Sequence, residues 1–168
     1  MNNIGNINMK AKIWSLLATV TDPEVPVLSI TDLGIVRDVI VNDDKVEILI
    51  TPTYSGCPAM DVISMNIRIL LLANGISNTI VKQTLSPPWT TDWMTEHGKN
   101  KLKQYGIAPP NPKQQVCNQD LFMHEEAVQC PHCNSYHTHR ISEFGSTACK
   151  ALYQCDDCRE PFDYFKCY

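Results

Sequence analysis

Four cysteines near the C-terminus form two C-x-x-C pairs, Cys130 with Cys133 and Cys155 with Cys158, separated by 21 residues. Two residues between cysteines allow a tight turn that directs both sulfurs at one cation, and a second such turn completes a tetrahedron. The spacing predicts a structural zinc site in a zinc ribbon. Because four thiolates fill the coordination sphere of zinc, such a site stabilises a fold and leaves no position open for catalysis.

Another cysteine, Cys57, follows Gly56 and precedes Pro58 at the start of a predicted helix. Proline suits the first helical position, which would make Cys57 the capping residue. The unpaired amides and positive dipole end there are expected to lower the thiol pKa and favour the metal-binding thiolate. Gly56 is expected to allow close backbone approach. Without a histidine close by in sequence, metal handling is favoured over an acyl-enzyme; the alternative is a small buried cysteine in a turn.

A proline-rich loop, Asp22-Pro-Glu-Val-Pro26, carries two carboxylates, those of Asp22 and Glu24. Two carboxylates on a stiff loop can bind a cation or hold a hydrogen-bond donor. Such residues also serve as simple turn or helix caps. The motif alone does not decide between these two roles.

Three further cysteines lie outside these motifs. Cys149 and Cys167 are predicted on strands that flank the second C-x-x-C pair, where they could be cross-strand neighbours. Packing in a small ribbon is favoured for them, and the alternative is a second thiolate site for iron or a cluster. Cys117 falls in a predicted linker, and the sequence assigns it no role.

The 168-residue chain has 43% apolar and 19% charged residues, which indicates a folded core rather than a disordered chain. Residues 1–10 are rich in asparagine and lack the apolar region of a secretory signal. Cysteine pairs without a signal favour metal binding in a reducing compartment over disulfides. No apolar run approaches the length of a bilayer span. We therefore expect a soluble cytoplasmic protein.

Charge differs between the two parts of the chain. Residues 1–115 hold ten basic and ten acidic side chains, whereas residues 116–168 hold four basic and eight acidic ones. Four thiolates on one zinc would add about two more negative charges. Because nucleic-acid affinity depends on neutralising phosphates with lysine and arginine, the acidic ribbon is not expected to bind DNA or RNA.

Hydrophobic periodicity and turn residues predict the elements that position these side chains. Gly75 and Gly106 are expected to end two of the helices as left-handed caps. The pattern predicts an α+β protein in which a small α/β sandwich, with one face of its sheet covered, precedes a zinc ribbon. The predicted domains are 1–107, a linker 108–124 and a ribbon 125–168. The predicted elements are helices 9–20, 58–74 and 91–105, strands 36–41, 46–50 and 79–85, and ribbon strands 136–144, 148–154 and 161–167.

Two segments together resemble known families. Residues 22–36, Asp-Pro-Glu-Val-Pro-Val-Leu-Ser-Ile-Thr-Asp-Leu-Gly-Ile-Val, and residues 51–60, Thr-Pro-Thr-Tyr-Ser-Gly-Cys-Pro-Ala-Met, resemble the cluster assembly domain of SufT-type proteins. Residues 141–153 and 160–167 resemble the ribbon of PaaD proteins, the D subunits attributed to the bacterial phenylacetyl-CoA epoxidase system. The two resemblances cover nearly the whole chain after its first ten residues.

The resemblance implies an accessory protein of phenylacetyl-CoA 1,2-epoxidation in aerobic phenylacetate catabolism. Such a protein would assemble or insert iron–sulfur clusters, with a transient iron or cluster cargo besides structural zinc. The implied partners are the reductase and oxygenase components and the iron–sulfur assembly machinery, with no nucleic acid and no membrane. The implied cargo-handling residues are Asp22, Glu24 and Cys57, with Thr51 and Thr53 shaping the same pocket.

Other functions stay open at this point. A non-catalytic structural subunit of the oxygenase would co-purify with it at fixed stoichiometry and would not depend on Cys57. A catalytic subunit is disfavoured because the sequence lacks a carboxylate–histidine di-iron pattern, a Rossmann glycine motif and a phosphate-binding loop. A nucleic-acid-binding ribbon is disfavoured by its charge.

Overall fold

The computed structural model describes residues 3–42, 45–110 and 128–166. Contacts within the chain divide it into two compact units, Met1–Trp89 and Thr90–Tyr168. Each unit has its own β-sheet, with three strands in the first and four in the second.

The first unit is built on a three-stranded sheet in the order β1-β2-β3. Strands β1 (Val36–Asn42) and β2 (Lys45–Ile50) are antiparallel, with Val36 opposite Ile50 and a register shift that follows it. Strand β3 (Thr79–Gln83) runs parallel to β2. A parallel neighbour requires a crossover connection, and helix α2 (Ala59–Ala73) supplies it.

Helices α1 (Asn3–Leu17) and α2 contact the sheet and each other, so they lie on the same face of it. This arrangement confirms the predicted sandwich with one covered face. Its core includes Ile13 of α1, Ile48 of β2 and Ile67 of α2, all fully buried. At the end of the unit, the indole N–H of Trp89 donates to the carbonyl of Leu33 at 2.8 Å.

Helix α1 ends earlier than its apolar pattern predicted. The pattern extends to Val20, but the helix ends at Leu17. Val20 lies in the turn that follows the helix, and its side chain is buried there. The Thr19 hydroxyl donates to the carbonyl of Leu16 at 2.7 Å. The Thr19 N–H donates to the same carbonyl at 2.9 Å, and the Val20 N–H donates to that of Leu17 at 3.1 Å. The last turn is therefore tightened, and Leu16 does not pair with Val20 as it would in a longer helix.

The second unit begins with a 3-10 turn, Thr91–Trp93, and helix α3 (Glu96–Gln104). Its sheet has the strand order β4-β7-β6-β5, in which β5, β6 and β7 form an antiparallel ribbon. Strand β4 adds to this ribbon in parallel to β7. The strands are β4 (Ile107–Ala108), β5 (Thr138–Ser142), β6 (Lys150–Cys155) and β7 (Pro161–Phe165).

The prediction of one continuous helix over residues 91–105 is wrong. The single helix 91–105 is interrupted, because Thr95 is extended and its hydroxyl accepts from the Gly98 N–H at 2.9 Å to cap a new helix. Contacts within the chain divide it after Trp89, and Ile107 pairs with Asp163 of β7. Residues 111–127, most of the predicted linker, lie outside the described ranges. The limits of independently folding domains stay a prediction.

No helix in the described part of the chain is long and apolar enough to cross a membrane.

Candidate metal centre and thiol site

The four predicted zinc ligands come together in the second unit. The sulfurs of Cys130, Cys133, Cys155 and Cys158 all lie within 4.8 Å of one another. The Cys130 and Cys158 sulfurs are 3.8 Å apart, and those of Cys133 and Cys155 are 3.5 Å apart. A tetrahedron with zinc–sulfur distances of about 2.3 Å has edges of about 3.8 Å. The cage therefore has the size and donor set of a four-thiolate metal site.

Backbone amides point at the sulfurs of this cage. The Cys158 N–H donates to the Cys155 sulfur and, with help from the Asp157 N–H, lowers the pKa of that thiol to about 7. Hydrogen bonds to a thiolate favour ionisation of the thiol, and a cysteine must be ionised to bind a metal ion. Cys155 is thus the cysteine of the second turn that ionises first. The Glu160 N–H also favours a thiolate on Cys158, but burial and the neighbouring sulfurs raise the pKa of that thiol to about 12.

Cys57 lies at the beginning of α2 but is not its capping residue. Pro58 occupies the cap position with helical backbone angles, and the helix begins at Ala59. The Cys57 sulfur nevertheless accepts the N–H of Ala59, and Tyr54 also hydrogen-bonds to it. The predicted proximity of this thiol to a helix N-terminus is therefore found, one residue further from the helix than expected.

The predicted electrostatic effect on Cys57 is wrong in sign. Burial of the half-buried side chain raises the pKa of the thiol above its ordinary value of 9.0. The Ala59 N–H opposes this shift, whereas the carboxylates of Glu24 and Asp22 add to it. Desolvation and two negative neighbours thus outweigh the helix terminus, and the thiol is protonated at neutral pH.

Asp22 and Glu24 are brought near Cys57 from the loop that follows α1. The buried Asp22 carboxylate accepts the N–H of Glu24 at 2.7 Å and the N–H of Val25 at 3.0 Å, so it holds its own turn closed. The Glu24 side chain is half-buried. The alternative turn-capping role of Asp22 is therefore present together with its electrostatic effect on the thiol.

Thr51 and Thr53 differ in their surroundings. Thr51 is 1% exposed, and its hydroxyl has no hydrogen-bond partner within the described residues. Buried hydroxyls normally form hydrogen bonds, so the Thr51 hydroxyl has unused hydrogen-bonding capacity at the start of the Cys57 loop. Thr53 is half-buried. Gly56 has a φ of +84°, and a Cβ there would meet no atom within 4 Å, so conformation rather than close approach requires this glycine.

The cargo-handling candidates do not form a preformed metal cage. Across the described ranges, the four-cysteine cluster is the one group of three or more His, Cys, Asp or Glu ligands whose atoms all lie within 4.8 Å. Asp22 and Glu24 therefore interact electrostatically with Cys57, but the three side chains do not form such a ligand group.

Both halves of the chain match known families. Residues 10–73 match the family described as iron–sulfur cluster assembly protein, and residues 114–166 match the PaaD zinc beta ribbon domain. Over 93% of its length, the chain is 53% identical to an Escherichia coli K12 protein that is provisionally named as the D subunit of 1,2-phenylacetyl-CoA epoxidase, and it covers 92% of that protein. The chain belongs to the PaaD family.

Other relatives correspond to the N-terminal part of this PaaD chain. A Porphyromonas gingivalis protein named Fe-S protein maturation auxiliary factor is 35% identical over 54% of the chain and 87% of that protein. The crystal structure of a domain of unknown function, DUF59, from Bacillus anthracis superposes with a TM-score of 0.57 at 28% identity. The match covers 60% of this chain and 97% of that one.

The PaaD ribbon contains a short internal repeat that the sequence analysis missed. Gln129 and Gln154 immediately precede the two C-x-x-C pairs, and each amide donates to the carbonyl of the residue after its pair, Asn134 at 3.1 Å and Arg159 at 3.2 Å. Those two residues have φ values of 63° and 65°. The repeated signal Gln-Cys-x-x-Cys is visible in the sequence and could have been found there.

The remaining cysteines of this PaaD chain are only partly described. Cys149 is buried, and its sulfur lies 3.1 Å from the Thr147 hydroxyl. Cys167 and Cys117 lie outside the described residues. The second thiolate site suggested for Cys149 and Cys167 therefore stays a hypothesis.

Proposed function

We propose that this chain is a non-catalytic accessory protein of a phenylacetyl-CoA 1,2-epoxidase system that assembles iron–sulfur clusters or inserts them into the reductase or oxygenase components. The proposal includes the cytoplasm as the place of action and the iron–sulfur assembly machinery as the source of the cargo. It is supported by the family membership together with the half-buried Cys57 thiol and its two carboxylate neighbours.

The observation that carries the proposal is the environment of Cys57. Burial and two negative neighbours disfavour a free thiolate, whereas the same negative neighbours favour an arriving iron cation, which replaces the thiol proton. Since the donors do not form a cage, they can bind the cargo only through partial and rearranging contacts. Weak and incomplete ligation suits a protein that must release what it binds.

A separate metal ion is proposed for the ribbon. The four-thiolate donor set and its tetrahedral size fit zinc, which has no redox chemistry of its own. In this role Cys130, Cys133, Cys155 and Cys158 hold the ribbon folded. We place the cargo chemistry in the first unit and the structural ion in the second.

The decisive experiment replaces Cys57 with serine in cells that lack their own copy of the protein. We expect Cys57→Ser to lower the iron and sulfide content of the reductase component several-fold and to lower epoxidation in parallel. Electron paramagnetic resonance of the purified reductase and product formation give the two readouts. Ser55→Ala, an exposed change in the same loop, is the matched control and should leave both unchanged.

Unchanged cluster content in the Cys57→Ser cells would overturn the proposal. Fixed-stoichiometry co-purification of that variant with the oxygenase would then support the structural-subunit hypothesis. Protein purified without oxygen provides a second check, because the proposal expects labile iron and sulfide that Cys57→Ser removes while the ribbon metal stays bound.

A further inference from the structure

Helix α2 carries a second apolar stripe on the side opposite its buried face. Val62, Met65, Ile69 and Leu72 are 48%, 63%, 58% and 61% exposed. At about 100° per residue these four side chains lie within one narrow sector of the helix. We call them the α2 stripe. A surface helix usually has polar residues on this side, so the stripe requires a separate explanation.

Packing against the sheet does not account for the α2 stripe. The buried face of α2 is formed by other residues, among them Ile63, Ile67 and Leu71, which are fully buried. The exposed side chains are therefore not needed for the core. Exposure of four large apolar side chains to water is unfavourable in free energy, and a docking partner would bury them.

The spacing of the α2 stripe indicates a helical partner. Its residues follow one another at intervals of three, four and three, which is the a/d repeat of a helix-to-helix seam. An amphipathic helix with large aliphatic side chains at the same spacing would interdigitate with it. Recognition of this kind lays the apolar face of one helix on an apolar surface of another protein.

The size and charge of the α2 stripe argue against two other occupants, a second copy of this chain and a membrane. The stripe exposes on the order of 400 Å², so pairing with one helix would bury roughly 800 Å² in total, short of the roughly 1,200 Å² of a stable interface. This favours a transient partner over a permanent second copy. Helix α2 carries one acid, Asp61, and one base, Arg68, and so lacks the basic flank of a helix that binds anionic membranes.

The position of the α2 stripe connects it to the thiol. Cys57 lies two residues before the start of α2, and Val62 lies within the first turn and a half of the helix. We propose that the α2 stripe docks an amphipathic helix of the client protein that receives the cargo from Cys57, an inference that rests on the proposed function. Docking there would bring the client next to the thiol.

The test measures docking and transfer separately, with the purified reductase and oxygenase components of the epoxidase as probes. We expect Met65→Glu and Ile69→Glu each to raise the Kd for one of these components at least tenfold and to slow cluster transfer in proportion. Leu85→Glu is the matched control, since Leu85 is also 63% exposed but lies outside the stripe. Met65→Gln provides a milder variant, and circular dichroism with zinc content verifies folding.

Cys57→Ser separates this inference from the proposed function, because it should abolish transfer while its Kd for the client stays unchanged. Unchanged Kd values in both stripe variants, or failure of both components to bind the unmodified protein, would overturn the inference. The inference would also be overturned if light scattering showed a dimer that Ile69→Glu abolishes, or if the protein bound phosphatidylglycerol vesicles and Ile69→Glu abolished that binding. The first of these results would identify a second copy as the occupant, and the second a membrane.

Discussion

The cysteine cluster of the ribbon and the Cys57 loop place the same side chain in opposite surroundings. In the ribbon, four sulfurs lie within 4.8 Å of one another. Backbone amides lower the pKa of the Cys155 thiol to about 7, whereas the pKa of Cys158 is raised to about 12, so the first thiolate of the cage forms at Cys155. In the loop, Cys57 has carboxylates as charged neighbours, and its pKa is raised. The ribbon is thus prepared to hold a cation permanently, whereas the loop lacks the ligands for permanent binding.

The comparison shows that the groups around a cysteine decide whether it holds a metal ion permanently or only transiently. Amide donors and further sulfurs stabilise a complete thiolate cage. Carboxylates attract a cation without preparing the thiolate, so each binding event must release a proton. The two regions should therefore respond differently to substitution and to pH.

The largest expected effect is loss of the ribbon in Cys155→Ser. Structural zinc contributes about 10–16 kcal/mol in comparable peptides, as much as or more than the whole stability of a typical domain. We expect the variant to lose its bound zinc and the dispersed NMR resonances of the ribbon, while resonances of Met1–Trp89 persist. Elemental analysis and a two-dimensional NMR spectrum measure both.

Cys149→Ala is the control for this experiment, because Cys149 is buried in the same sheet but outside the cage. It should retain one equivalent of zinc. A folded, zinc-loaded Cys155→Ser protein would break the comparison, since the ribbon would then not depend on a complete four-thiolate cage.

A smaller effect is expected for the pH dependence of Cys57. Its pKa lies above 9.0, so the reactive thiolate fraction, and with it the alkylation rate, should rise about tenfold per pH unit from pH 7 to 9. Glu24→Gln removes a negative neighbour and lowers the pKa, which should speed alkylation at pH 8 about two- to threefold. Mass spectrometry of iodoacetamide-treated, zinc-loaded protein measures the rate.

Glu47→Gln is the matched change for Glu24→Gln, because the Glu47 carboxylate pairs with Lys82 at 2.7 Å on the sheet. Its alkylation rate at Cys57 should equal that of the unmodified protein. If the rate of the unmodified protein reached a plateau near pH 7, Cys57 would rest as a thiolate and would resemble Cys155 of the ribbon.

The smallest expected effect concerns Thr51. Thr51→Val removes a buried hydroxyl without a partner in the described ranges, so we expect the free energy of unfolding to rise by about 1 kcal/mol. Thr79→Val is the control, because that hydroxyl donates to the Ile76 carbonyl at 3.2 Å and its loss should destabilise by a similar amount. Urea denaturation followed by fluorescence measures both; destabilisation by Thr51→Val would show that its hydroxyl is already satisfied.

Local patterns in the sequence were sufficient for most elements. Apolar periodicity predicted α2 and the β1–β2 hairpin, and Gly75 and Gly106 end their helices with φ values of +82° and +86° as expected. The C-x-x-C spacing predicted the metal cage because two turns determine its geometry. In each case the signal lies within a few residues of the feature it specifies.

Long-range interactions decided what the sequence could not show. The pairing of Ile107 with Asp163 joins positions far apart in the chain, and no local pattern in residues 91–108 reveals it. The pKa of Cys57 was predicted from its helix alone, whereas burial of the thiol, together with Glu24 and Asp22 more than thirty residues away, shifts that pKa in the other direction. Helix propensity and the spacing of nearby residues carry no information about these distant charges.

The outer strands of the ribbon sheet have a consequence for self-association. In the described part of the sheet, one rim is β4, which has two residues, and the other is β5, whose pairing is interrupted between Arg140 and Ser142. Short or irregular rims are poor templates for strand addition from another molecule. The ribbon sheet thus offers a second molecule little regular backbone onto which a strand could be added.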